Sequence, residues 1–589
     1  MLLAELNRRR VFRALIGYGI AAFAVLQIIE PIMHALHWPD AVLSYVVVAL
    51  ALGFPLVVTL AWIFDVKGGR IERTAPGATS GRLSGARLAL VLIGIGVLAA
   101  APGIVWYFAV PGISTQPPRA PSATDQAMPA IAVLPFADMS PAKDQEYFSD
   151  GIAEEILNGL AQIEGLRVIG RTSSFSFKGK NEDLRSIGDK LRVSTILEGS
   201  VRKAGNRLRI TAQLTEASGG SHLWSQTYER ELSDVFAVQD EIAKAVVTAM
   251  KVKLGPRPGP APSIIKRSTP NVEAYNLYLK GRYFWNFRPD RKSEARKYFE
   301  QAFQLDPEFA EAHAGLADWY ATFGSWEDGR MAPSEAMPRA KEEAERALQI
   351  DRALAAPHAT LAYVKLHYDR DYVGSEREFK EALRLDPGSL NAHHWYSHLL
   401  TAVSRREESL RESKVLLELD VLGFLPPVHL CWHYFMAHQY RESLQALEKS
   451  IELDPHYYWI PVFQGFAHER LGQAQLAIED FKTANKAVSG LTFVTAGLAY
   501  TYAIHGQRDE AQKLLDELKT LAKQKYVPSY DIALIYVGLG DNDQAFQWLQ
   551  KAEEEHSGWM VYFKVEPRLE SLRKDPRYSA MLRRLGLDR

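Results

Sequence analysis

A histidine pair and the single cysteine of the chain are the residues whose types and spacing come nearest to a metal site. His429 and His433 are four residues apart and flank Cys431, so a helix would place both imidazoles on one face. Metal ions in proteins are held by three or four ligands, and no carboxylate lies nearby on this face. One cysteine also excludes an internal disulfide and a cysteine-based zinc or iron–sulfur site. We therefore predict that the protein binds no metal ion.

Acidic and hydroxyl residues between positions 150 and 175 give a weak indication of catalysis. Glu154 and Glu155 are adjacent, so on a helix their side chains point about 100° apart. Acid–base catalysis by paired carboxylates needs both groups to face one centre, and first-turn acids that favour the helix dipole explain the pair better. Arg171 and the hydroxyls of residues 172–174 could hold an anion, or could stabilise a strand exit through local hydrogen bonds.

Sequence motifs of the common enzyme classes are absent. The chain contains no P-loop, no GxGxxG dinucleotide-binding motif, no HExxH and no GxSxG. We therefore predict that the protein is not an enzyme and has no catalytic residues and no cofactor. The alternative is that the region around Glu155 and Arg171 belongs to an enzyme of unfamiliar type.

The composition excludes further classes of protein. The 589 residues are too many for a single hydrophobic core. Lysine and arginine number 69 against 70 acidic residues, which gives a formal net charge of −1, whereas nucleic-acid-binding domains are basic. We therefore expect a multidomain protein with no nucleic acid as partner.

Three apolar runs, at 11–29, 41–64 and 88–110, dominate the first 110 residues. Each approaches the roughly 20 residues that a helix needs to cross a bilayer. Lysine and arginine gather only before the first run and between the second and third, so the positive-inside rule places the residues after 110 outside the cytoplasm. We expect a three-helix membrane anchor over 1–110, contact with lipid through 11–110, and a multi-pass protein of the inner membrane with a periplasmic remainder. The alternative is that the runs are buried helices of a soluble core.

Residues 130–254 carry the pattern of a small α/β domain between two proline-rich linkers, 111–129 and 255–270. An apolar run at 131–136 is followed by apolar residues at helical spacing, and three alternating runs fill 195–230. The predicted order of elements is β-α-β-α-β-β-β-α.

This domain resembles the amino-terminal domain of the TolB translocation protein and the related FlgO-like domain. The motifs that carry the resemblance lie at 132–136, 146–152, 171–175, 197–202 and 222–225. The resemblance implies an envelope domain that contacts proteins. Together with the repeats described next, the chain is similar to bacterial membrane-anchored proteins that join such a domain to tetratricopeptide repeats.

A period of 34 residues is the strongest pattern in residues 271–589. It separates Asp386 from Asp420, and it recurs between Gly465, Ala499 and Ala533. This is the period of the tetratricopeptide repeat, in which paired helices stack into a superhelix. We predict an all-α superhelix of about eight helix pairs, followed by a capping helix.

The resemblance to tetratricopeptide repeats implies an inner groove that binds peptides or partner proteins. Carried over by repeat phase, the groove residues that would contact a partner are Asn391, His394, His398, Leu425, Trp432, Phe435, Trp459, Phe466, Phe493 and Tyr500. The alternative is that these side chains only pack between neighbouring helices. We expect a membrane-anchored scaffold or adaptor of the cell envelope, and the alternative function is a transmembrane sensor that relays an extracytoplasmic ligand to a cytoplasmic partner.

Overall fold

The computed structural model describes residues 129–163, 165–254, 268–286, 289–325, 330–488 and 490–588, together with 64–67, 70–73 and positions 18, 25 and 50. Residues 1–126 and 127–589 are two separate compact units. In the first unit, strands β1 (Phe64–Lys67) and β2 (Arg70–Arg73) form an antiparallel pair. The second unit contains the α/β domain and the helical repeats.

The predicted fold class is wrong in its three transmembrane helices, and the predicted multi-pass inner-membrane location is corrected with it. None of the helices in the described residues combines the length and the apolar character that crossing a bilayer requires. The longest of them, Val235–Leu254, carries Asp240, Glu241 and Lys244 in its middle, whereas a crossing helix needs about 20 mainly apolar residues.

The apolar runs on which that expectation rested are 11–29, 41–64 and 88–110. Apart from positions 18, 25, 50 and 64, they lie outside the described residues. Position 64 is the first residue of β1.

The α/β domain is built on one mixed sheet. Its strands are β3 (Ala130–Val133), β4 (Ala137–Asp138), β5 (Arg167–Val168), β6 (Thr195–Ala204), β7 (Arg207–Glu216) and β8 (His222–Glu231). The sheet order is β5-β3-β6-β7-β8, with β4 beside β6. β3 runs parallel to β5 and β6, while β6, β7 and β8 are antiparallel.

Helices cover both faces of this sheet. They are α1 (Glu146–Ala161), α2 (Arg171–Phe175), α3 (Leu184–Leu191) and α4 (Val235–Leu254). In β3, Ile131 and Val133 face the core beneath α1 and α4, whereas Ala130 and Ala132 join the smaller core beneath α3. A strand buried on both faces reads as continuously apolar, which explains the run at 131–136. The order of strands and helices along residues 130–254 is the predicted one, with two short elements added, β4 and α2.

Eight helix pairs follow within residues 272–554. The pairs are α5 (Val272–Trp285) with α6 (Pro289–Leu305), α7 (Ala310–Phe323) with α8 (Pro333–Ile350), α9 (Ala355–Val364) with α10 (Tyr372–Leu385), α11 (Leu390–Ala402) with α12 (Arg406–Leu419), α13 (Leu425–Met436) with α14 (Tyr440–Leu453), α15 (Trp459–Arg470) with α16 (Ala474–Ala487), α17 (Thr492–Ile504) with α18 (Arg508–Leu521), and α19 (Ser529–Leu539) with α20 (Asn542–Glu554). A single wider turn, Lys365–Asp369, extends α9.

The repeat pattern has a direct packing cause. The Phe481 ring of α16 lies so close to Gly465 and Gly497 that an added Cβ atom would meet it at 2.9 and 3.0 Å. Phe299 of α6 fills the equivalent space against Gly281 and Gly315, at 2.5 and 2.8 Å. Each large ring therefore needs a small residue on the two neighbouring first helices, and this requirement recurs with the repeat.

The chain after α20 is called here the C-terminal segment, residues 555–588. It contains two 3₁₀ turns, Gly558–Tyr562 and Pro567–Lys574, and helix α21 (Pro576–Arg584). Its residues share one continuous apolar core with the helix pairs and with most of the α/β domain.

Candidate partner-binding groove

The first helices of the pairs line the inner surface of the superhelix. From α9 to α19, the second helices cover one side of the first helices, and the C-terminal segment contacts another. In α13, every residue from 426 to 433 is buried. The inner surface on which the repeat pattern predicts a groove is therefore covered by residues of the same chain.

Aromatic rings of the C-terminal segment anchor it in the groove. The Tyr562 ring lies edge-on to Trp432, with centroids 5.0 Å apart, and 6.1 Å from the ring of His398. Trp559 stacks on Tyr530 at 5.6 Å and lies 6.3 Å from Phe493. Buried aromatic pairs in these geometries add about 0.5–1.5 kcal/mol each beyond the area they bury.

Side chains of the helix pairs also donate hydrogen bonds to main-chain carbonyl oxygens of the segment. His367 Nδ1 lies 3.2 Å from the oxygen of Gly558. The hydroxyl of Tyr500 donates to Arg568 O at 3.4 Å, and the hydroxyl of Tyr372 donates to Leu585 O at 2.9 Å. Contacts of this kind hold a chain by its backbone, whatever its side chains are.

A buried ion pair completes the contact. Both carboxylate oxygens of Glu566 accept from the guanidinium of Arg568, at 2.8 and 3.0 Å, and Arg568 also lies over the Phe466 ring at 4.5 Å. Nearby Glu469 accepts from the hydroxyl of Thr501 at 3.2 Å. Burial raises the pKa of Glu469 to about 7, and the charge of Arg568 only partly opposes that rise.

The structure places the ten predicted contact residues in three settings. His398, Trp432, Phe466, Phe493 and Tyr500 are buried and contact the C-terminal segment.

The other five predicted residues lie elsewhere. Phe435 stacks on the ring of Phe466, and Trp459 stacks on Phe493, so both are packed between neighbouring first helices. His394 is half-buried, and Asn391 and Leu425 are exposed.

A cluster of four histidines was not expected from the sequence. His394 and His398 of α11 meet His429 and His433 of α13, and ring centroids are 4.0 Å apart for His394 and His429 and 4.4 Å for His429 and His433. Burial lowers the pKa of His394 to about 4 and holds those of the other three well below their usual range, with repulsion among the imidazoles adding to the effect. Two pairs with i, i+4 spacing, 35 residues apart in a 34-residue repeat, were the signal that could have revealed it.

The residues that gave a weak indication of catalysis join the α/β domain to the superhelix. α1 begins at Glu146, so Glu154 and Glu155 lie in mid-helix and are not first-turn acids. Glu154 pairs with Arg171 at 3.1 Å and with Arg282 of α5. Burial alone would raise the pKa of Glu154, but the two guanidinium charges outweigh burial and lower it.

Comparisons with known proteins identify the repeat. The family model for the tetratricopeptide repeat matches residues 529–555, which cover α19 and α20. The putative adenylate cyclase 3 of Rhizobium meliloti is 39% identical over 256 residues, which are 43% of this chain and 42% of that protein. The transcriptional regulator HilA of Salmonella typhimurium is 24% identical over 308 residues, 51% of this chain and 52% of that protein.

The chain thus spans about half the length of the curated relatives it matches. Among solved structures, a tetratricopeptide repeat protein from Parabacteroides merdae has 14% identity and a TM-score of 0.30 over 46% of this chain and 98% of that chain. The chain contains tetratricopeptide repeats, a class of repeat whose concave surfaces bind other proteins. The resemblance of residues 130–254 to the TolB and FlgO-like domains stays a prediction.

Proposed function

We propose that this tetratricopeptide-repeat chain is a scaffold or adaptor without enzymatic activity, and that its inner groove binds an extended segment of a partner protein. One observation carries the proposal. The groove already holds an irregular segment of its own chain, through aromatic anchors and through side-chain donors to main-chain carbonyls. A surface that holds one extended chain in this way has the chemistry to hold another.

The C-terminal segment also indicates what a partner should offer. Trp559 and Tyr562 are three residues apart and reach neighbouring parts of the groove, and Arg568 follows six residues later over Phe466. We infer that a partner peptide carries two aromatic residues at this spacing and a basic residue beyond them. In the free chain the C-terminal segment competes for the same site.

The names of the two relatives give no support for a cyclase or a DNA-binding activity in this chain. Nearly half of each relative, or more, lies outside the matched residues. The nucleotide-binding motifs named above are absent, and the formal net charge is −1. Partner binding is a function that a cyclase, a regulator and a scaffold can share, and we propose it for this chain.

The test is a binding measurement with a peptide of residues 556–570 that carries a fluorescent label. The full chain with Trp559→Ala and Tyr562→Ala should bind this peptide, as measured by anisotropy. The unchanged chain should bind it at least about tenfold more weakly, because its own segment is present at an effective concentration in the millimolar range.

Two controls make the result specific to the groove. A full chain with Val373→Ala, a residue 80% exposed on the outer helix α10, should behave like the unchanged chain. A peptide with alanine in place of both aromatic residues should not bind. If the double variant keeps its helical circular dichroism and still binds no peptide, the proposal is wrong.

A further inference from the structure

The histidine cluster joins two neighbouring repeats at the wall of the groove. One nitrogen each of His394, His398 and His429 lies within 4.8 Å of the other two. In a tetrahedral zinc site with Zn–N bonds of about 2.0–2.1 Å, the nitrogens are about 3.3 Å apart, so shifts of less than about 1 Å for each ring would reach that geometry. Imidazole is a ligand suited to zinc, copper, iron and nickel.

The hydrogen bonds of His429 use its Nε2 atom, which belongs to a network around His433. Ser409 Oγ donates to the carbonyl oxygen of Ser397 at 3.0 Å, so its lone pairs face His433 Nδ1, 2.8 Å away. His433 Nε2 lies 3.0 Å from Ser397 Oγ and 3.1 Å from His429 Nε2, and His429 Nε2 also lies 2.9 Å from His398 Nε2.

His429 Nδ1 takes no part in this network. That atom is buried and has no hydrogen-bond partner in the part of the chain that the structure describes. A buried imidazole nitrogen without a hydrogen-bond partner is costly, and a metal ion binds the unprotonated nitrogen of a neutral imidazole. The contact of His429 Nε2 with His433, which Ser409 holds in turn, resembles the outer-shell support that metal-binding histidines generally receive.

We propose that His394, His398 and His429 bind a divalent transition-metal ion, with zinc as the physiological class, and that His433 orients His429 from the outer shell. His394 is half-buried and provides the route by which the ion enters. The Trp432 ring, 4.9 Å from that of His398, and the Tyr562 ring form the apolar wall of the site. An ion there ties α11 to α13 directly beneath the C-terminal segment.

The test uses the full chain, purified without a polyhistidine tag and stripped with a chelator. Titration with Zn²⁺ should show one ion per chain, and Co²⁺ should give the visible absorption bands of a tetrahedral site. Since even outer-shell partners are worth 10- to 100-fold in affinity, His394→Ala should weaken zinc binding by more than about 100-fold. His394 is the ligand least involved in the core, so this variant should fold.

The matched control is His358→Ala. His358 lies on a first helix, α9, is half-buried, and bonds to Glu378 at 2.8 Å, outside the cluster. This variant should bind zinc like the unchanged chain. The decisive measurement is made on the unchanged chain. If this chain shows no Co²⁺ bands and takes up no zinc, the cluster is a hydrogen-bonded network only. Equal zinc affinity of the His394→Ala and His358→Ala variants would also overturn the proposal.

Discussion

Asp420 is a single residue that joins the superhelix to the α/β domain. It follows α12, and its carboxylate accepts from the main-chain N–H of Ser173 at 2.9 Å and from the hydroxyl of the same residue. Burial raises the pKa of Asp420 to about 6, although both hydrogen bonds act to lower it. An unfolded chain titrates this group near pH 4. The folded state therefore holds the proton more tightly, and this contribution to stability is present below pH 4 and is lost as the pH rises through about 6.

We expect Asp420→Asn to remove that part of the pH dependence. The difference in unfolding free energy between the unchanged chain and the variant should change by about 2–3 kcal/mol between pH 4 and pH 8, since one pKa unit corresponds to about 1.4 kcal/mol. Urea unfolding followed by circular dichroism at several pH values measures this difference. Asp509→Asn, at an exposed position, controls for the loss of one negative charge. A difference that does not vary with pH would contradict the assignment.

At the scale of elements, the C-terminal segment carries a charge pair of its own that is almost fully buried where Arg568 packs over Phe466. Arg568 is 2% exposed and Glu566 is 1% exposed. Removing one member of a buried pair leaves an uncompensated charge, which destabilises a protein by about 3–5 kcal/mol, whereas removing both can be close to neutral. The stability of the buried segment therefore depends more on both members of the pair being present than on the net strength of their attraction.

A single and a double variant of this charge pair should differ in stability. Arg568→Met alone should lower the unfolding free energy by about 3–5 kcal/mol, because Glu566 then lies buried without its cation. Adding Glu566→Gln to Arg568→Met should recover part of that loss. Denaturant unfolding of both variants measures the coupling. Equal stability of the single and the double variant would show that the pair does not act as a unit.

The helix pairs could be predicted from the sequence because each depends on neighbours close in the chain. Phe481 needs small residues at Gly465 and Gly497, sixteen positions away on either side, and a repeating pattern records that need. The filling of the groove depends on partners such as His367 and Gly558, 191 residues apart, and leaves no local pattern. The histidine cluster joins two repeats, and its only sequence signal is two i, i+4 pairs 35 residues apart, which is one more than the repeat period.

At the scale of the whole second unit, the α/β domain and the superhelix form one body. Glu154, buried in α1, pairs with Arg282 of α5, and the main-chain N–H of Gly170 donates to Leu419 O at 2.6 Å. Gly151 packs so closely on Leu279 that an added Cβ would lie 2.7 Å from it. Sequence patterns delimited the α/β domain but gave no indication of this contact, because charged residues that meet between domains look like surface residues.

We expect Arg282→Met to loosen this contact. The variant leaves the buried carboxylate of Glu154 with Arg171 alone, and amide hydrogen exchange should become faster in α1 and in α5. Adding Glu154→Gln should slow that exchange again. Mass-spectrometric exchange on the full chain provides the measurement, with Arg346→Met on the exposed outer helix α8 as the matched control. Unchanged exchange in α1 would contradict a structural role for the pair.

The hydrogen bond from Tyr372 to Leu585 joins residues 213 positions apart. In an open array of repeats, each unit touches only its neighbours, so the ends fray first and melting spreads inward. Here the third helix pair is hydrogen-bonded to the C-terminal segment, which follows the eighth helix pair. Neither the third pair nor the C-terminal segment can therefore unfold without the other. This long-range closure makes thermal melting of the repeats more nearly all-or-none, and it slows refolding, because a loop of more than two hundred residues must close before the last contacts form.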